Sequence, residues 1–78
     1  MVGFRYFVVE EARKLGLAGW VRNGDAGMTV EVVAEGPEDQ LRQLEAKLRQ
    51  GPRLARVDTV DAQWSDAPEG HRGFEVRW

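Results

Sequence analysis

Residues 2–16, VGFRYFVVEEARKLG, decide the fold. Phe4, Phe7, Val8, Ala12 and Leu15 recur at helical spacing, and Gly16 stands where a left-handed C-terminal cap is expected. The spacing predicts a first helix over 4–15. Only three residues precede it, so the chain enters a helix with no strand ahead. A helix packed on a sheet normally joins two strands, usually as a right-handed crossover.

After Gly16, LAGWVRN (17–23) reads as a short strand ending in the turn-rich NGDAG. MTVEVVAE (28–35) places Met28, Val30, Val32 and Ala34 on one face, with Thr29, Glu31 and Glu35 mostly on the other. The two strands and their short glycine-containing loop predict a hairpin. GPEDQLRQLEAKLRQG (36–51) carries the clearest helix signals. Pro37 suits a first helical position, Glu38 and Asp39 complement the helix dipole, and Gly51 supplies the stop. Leu41, Leu44 and Leu48 form a narrow apolar stripe, while Glu38–Arg42 and Glu45–Arg49 are surface pairs of small stabilising effect. ARVDTVDAQW (55–64) reads as a third strand, and FEVRW (74–78) as a last one with Phe74, Val76 and Trp78 on one face.

The order is helix, strand, strand, helix, strand, strand. With one strand supplied ahead of Met1 it becomes the split βαβ pattern of the ferredoxin-like fold. The expectation is therefore one small α+β domain spanning 1–78, with two helices on one face of a mostly antiparallel sheet and the first strand missing. A chain of 78 residues buries only about 60% of the surface its unfolded form exposes.

Composition excludes several classes of function. There is no cysteine, which removes thiol catalysis and zinc–thiolate sites. A formal charge of −2 gives no general attraction to nucleic acid or to an acidic membrane. With 42% hydrophobic and 31% charged residues the chain is an ordinary globular one, and YFVV is far too short to span a bilayer. No signal-peptide pattern is present, so a cytoplasmic location is expected.

Arg5 is the odd residue of the opening helix. The first turn exposes N–H groups and positive partial charge, so a cation there is mildly unfavourable. An anion docked against both the N–H groups and the guanidinium reverses that penalty, and Val2 and Gly3 allow close backbone approach to it. Taken alone, such an arginine is more often a solvated surface residue. Asn23 likewise has two readings: Asn-Gly turn chemistry, or an amide that accepts from a water. His71, in a glycine- and charge-rich loop, reads as a solvated histidine before it reads as a base or ligand. Asp58 and Asp61 fall on opposite faces of an extended segment and make no acid pair. Trp20, Trp64 and Trp78 suit core or half-buried strand positions. No Gly-x-Ser-x-Gly, Walker, HExxH or EF-hand pattern occurs.

VGFRYF (2–7), LGLAGWVRN (15–23), VEVVAEGPED (30–39) and GPRLARVDTV (51–60), in this order and spacing, resemble the acylphosphatase family. Its specific part is GFR followed, fourteen residues after Arg5, by GWVRN. The resemblance implies a ferredoxin-like fold and hydrolysis of carboxyl-phosphate anhydrides without metal or cofactor. It assigns the phosphoryl group to Arg5 and the backbone of Val2, Gly3, Phe4 and Arg5, and the attacking water to Asn23. The partner it implies is a small acyl phosphate or inorganic phosphate, not nucleic acid or membrane. Family members carry a strand and a loop of the type G-x-V-Q-G-V-G-F-R, of which only VGFR stands here. The chain is therefore expected to be a family member shortened at its start, with impaired activity and an open sheet able to self-associate. Two rivals remain open at this point. One is a non-catalytic anion-binding or interaction module. The other, a fragment of a larger hydrogenase-maturation protein, is opposed by the lack of a cysteine-rich segment after Trp78.

Overall fold

The computed structural model describes residues 2–24, 29–51 and 70–77. The opening helix, α1, spans Val2–Lys14. It starts two residues before the predicted boundary and stops one earlier. Its end is a Schellman turn: Gly16 adopts φ 71°, its N–H donates to Arg13 O at 3.1 Å, and the Leu17 N–H donates to Ala12 O at 3.0 Å. Leu17 and Ala12 are both buried there, which reverses the chain tightly into β1, Ala18–Asn23.

β1 pairs antiparallel with β2, Val30–Glu35, in the register Ala18 opposite Glu35 and Asn23 opposite Val30. The Gly24 N–H donates to Thr29 O at 2.8 Å and closes the hairpin. α2 spans Glu38–Gln50, so Pro37 is its N-cap and not its first helical residue. Gly51 stops it as predicted, at φ 70° with its N–H on Lys47 O. β3, Phe74–Val76, lies parallel to β1 with Gly19 opposite Phe74, giving the order β2-β1-β3. The predicted strand over 55–64 lies outside the described residues, as do Met28, Asp58, Asp61, Trp64 and Trp78.

Both helices cover one face of this mixed sheet. Phe4, Val8, Val9 and Ala12 of α1 bury against Leu17, Val21, Leu44 and Phe74, with Val30, Val32, Ala34, Leu41, Leu48 and Val76 packed around them. The arrangement is the α+β, ferredoxin-like one. The core face of α1 is rotated from the predicted one: Val9 is buried, while Phe7 and Leu15 are only half-buried. Trp20 stands half-buried on the opposite face of the sheet, with the Arg22 and Arg77 guanidinium groups 5.3 and 4.9 Å from its ring.

Candidate active site

α1 has 13 residues and β1 has 6, so at about 1.5 Å per helical and 3.3 Å per strand residue the two elements have nearly equal lengths. The reversal at Gly16 therefore brings the end of β1 back level with the start of α1. Strand alternation adds the direction. Val21 is fully buried beneath the helices, and Asn23, two residues on, shares that face. Thus Arg5 and Asn23, eighteen residues apart, belong to the same end and the same layer of the molecule.

Arg5 is not a solvated surface residue: it is 5% exposed. It lies on the buried stripe of α1 with Val8, Val9 and Ala12, at spacings of three and four residues. Among the described residues it is the one charged side chain in the core. Burying a cation costs several kcal/mol unless charge or hydrogen bonds offset it, and Arg5 has an interaction of its own within the protein.

The surrounding backbone suits an anion. Because α1 begins at Val2, the N–H groups of Val2, Gly3, Phe4 and Arg5 point toward the helix start and add to its positive end. No acidic residue occupies this first turn. A Cβ added to Gly3 would meet nothing within 4 Å, so packing does not require glycine there and the space beside its backbone is open. Asn23 supplies a second polar group: its Oδ1 is buried and accepts no hydrogen bond among the described residues. A buried acceptor needs a donor, and a water can fill that role.

His71 is placed elsewhere. Its backbone N–H donates to Glu35 Oε2 at 3.0 Å and its Nε2 lies 3.7 Å from Glu35 Oε1. Glu35 pairs with Ala18, at the far end of β1 from Asn23. The loop histidine is accordingly half-buried beside a carboxylate, not solvated, and a strand's length from Arg5. At the same far end Arg13 Nε and Nη2 both donate to Phe74 O, at 3.1 and 2.9 Å, tying α1 to β3. Contacts across 36 and 61 residues leave no trace in periodicity. Among the described residues no group of three or more His, Cys, Asp or Glu side chains could hold a metal ion, and no helix is long and apolar enough to cross a membrane.

The sequence model of the acylphosphatase family matches residues 1–76. An acylphosphatase of Salinibacter ruber is 51% identical over 76 residues, covering 97% of this chain and 79% of the relative. One from Thermococcus kodakarensis is 51% identical over 75 residues, covering 96% and 80%. Among solved structures, acylphosphatase from Bacillus subtilis superposes with a TM-score of 0.92 at 43% identity, covering 99% of this chain and 84% of that one.

Proposed function

The chain belongs to the acylphosphatase family, and on that premise we propose that Arg5 and Asn23 form its active site. The activity is hydrolysis of acyl phosphates to carboxylate and phosphate. A non-catalytic module is the less favoured reading at about 50% identity over nearly the whole chain to acylphosphatases. The observation that carries the site is the placement of a core arginine at a helix start, level with a buried amide oxygen that still lacks a donor among the described residues.

In this reading the phosphoryl group sits on the N–H groups of Val2, Gly3, Phe4 and Arg5, and the Arg5 guanidinium holds two of its oxygens. Asn23 Oδ1 accepts a hydrogen bond from the attacking water and sets its line to phosphorus. The water oxygen–phosphorus bond forms as the phosphorus–acyl oxygen bond breaks. The bonding pair leaves with the carboxylate, and the water proton passes to the phosphate oxygens. A carboxylate leaves readily, so no strong general acid is needed; positioning and fixed positive charge supply the catalysis. Neither metal nor cofactor enters these steps.

Steady-state kinetics on an acyl phosphate test the assignment. Arg5→Ala and Asn23→Ala each nearly abolish turnover, whereas His71→Ala does not. The reverse order, with His71 essential, points to another mechanism. We further place the protein in the cytoplasm, acting on a small substrate without nucleic acid or membrane. We also assign self-association, if present, to the outer edge of β2, which has no strand neighbour among the described residues. Sedimentation tests that last point.

A further inference from the structure

Arg13 stands in the last turn of α1, and among the described residues no carboxylate pairs with it. Its Nε and Nη2 both donate to Phe74 O, at 3.1 and 2.9 Å. A carbonyl oxygen has two lone pairs, so these two donors fill its accepting capacity. Where that carbonyl points follows from the strand ladder. The Gly19 N–H donates to Gly73 O and the Arg77 N–H donates to Val21 O, both at 2.8 Å, so residues 73, 75 and 77 turn their backbone groups toward β1. Successive strand residues turn theirs to opposite sides, and Phe74 and Val76 therefore present theirs at the outer edge of β3. In the order β2-β1-β3 that edge has no strand neighbour among the described residues.

Open N–H and C=O groups along an edge are a template for another strand, and native proteins blunt such edges with charge. Here a guanidinium does so directly, by occupying the first outward acceptor of β3. Without it the edge fits a second copy of the same strand. When two β3 strands lie antiparallel with Val76 opposite Val76, the two valines exchange both of their hydrogen bonds. The same register sets Glu75 of each copy opposite Arg77 of the other. Both side chains are exposed on the sheet face away from the helices, and within one chain they lie 3.5 Å apart. Opposite charges directly across a strand pair attract, so the strand is complementary to itself.

We propose that Arg13 guards the outer edge of β3: its two hydrogen bonds to Phe74 O close a docking surface that fits the β3 strand of a second copy of this chain. The inference is independent of the active-site reading, because Arg13 stands at the opposite end of α1 from Arg5. It also distinguishes the two sides of the sheet. With the β3 edge closed, any strand pairing of the unaltered chain runs through β2.

Sedimentation equilibrium and amide hydrogen exchange on the full chain, over a series of protein concentrations, compare the wild type with Arg13→Ala. Arg13 is exposed and fills no core space, so the variant folds. Its sedimenting mass doubles as concentration rises, and the Phe74 and Val76 amides become slow to exchange in step with the dimer. Adding Val76→Pro returns Arg13→Ala to a monomer. Proline has no N–H, and because that N–H points outward no bond to β1 is lost. A folded Arg13→Ala that stays monomeric overturns the proposal, as does a dimer whose Phe74 and Val76 amides still exchange fast. The wild type tests it with no substitution at all. There, exchange at these two amides is independent of concentration, and slowing at high concentration means the edge is open and the guard does not exist.

Discussion

Asn23→Ala separates a catalytic amide from a turn residue, because only a turn role ties the loss of activity to the loss of fold. The lost packing of a half-buried side chain costs about 1 kcal/mol, which for a domain of this size lowers Tm by about 4–8 °C and leaves the variant folded at about 25 °C. Its hydrolysis of acyl phosphate nonetheless falls by about 10²–10³ in kcat, the range lost with one well-aimed polar group at a reacting centre, and KM stays nearly constant. Thermal unfolding by circular dichroism and steady-state kinetics on one preparation measure both. A variant that melts far lower, with activity lost only in proportion to folded protein, makes Asn23 a hairpin residue and not a catalytic one.

Arg5→Ala loses almost all turnover, and Arg5→Lys recovers only part of it, since an ammonium cannot present two parallel N–H groups to the phosphoryl oxygens; kcat/KM of the two variants checks this. Gly16→Ala forces a residue with Cβ into φ 71° at the α1 cap and lowers stability by about 1 kcal/mol in urea denaturation without altering KM. Gly19→Ala is far more damaging. Gly19 has φ 142° in β1 and a Cβ there would run into the Val33 backbone oxygen, so the variant fails to give a cooperative unfolding transition.

The elements of this fold were legible because their signals are local. Gly16 and Gly51 end their helices where glycine alone takes a positive φ at little cost, and Val30, Val32 and Ala34 share the core face that alternation gives them. The buried face of α1 was less legible. Phe7 and Val9 are both apolar and both one helical step from Val8, so periodicity alone does not choose between them. Packing against β1, β3 and α2 together chooses Val9. The proposed pairing of Arg5 with Asn23 rests on the family motif, and the near-equal lengths of α1 and β1, with the helix starting at Val2, are the geometry compatible with it. The burial of Arg5 was not legible, because a charged residue at a helix start is ordinarily solvated. His71 was misread for a related reason: Glu35, its partner, lies 36 residues away.

The proposed mechanism requires phosphate to bind at the start of α1, with Arg5. Titration of the uniformly ¹⁵N-labelled chain with inorganic phosphate, followed by amide ¹H–¹⁵N correlation spectra, tests it residue by residue. Saturable shifts are expected on the amides of Val2, Gly3, Phe4 and Arg5 and on the Asn23 side-chain amide, lost in Arg5→Ala. Shifts centred on Arg13 at the far end, with the start of α1 unmoved, contradict it.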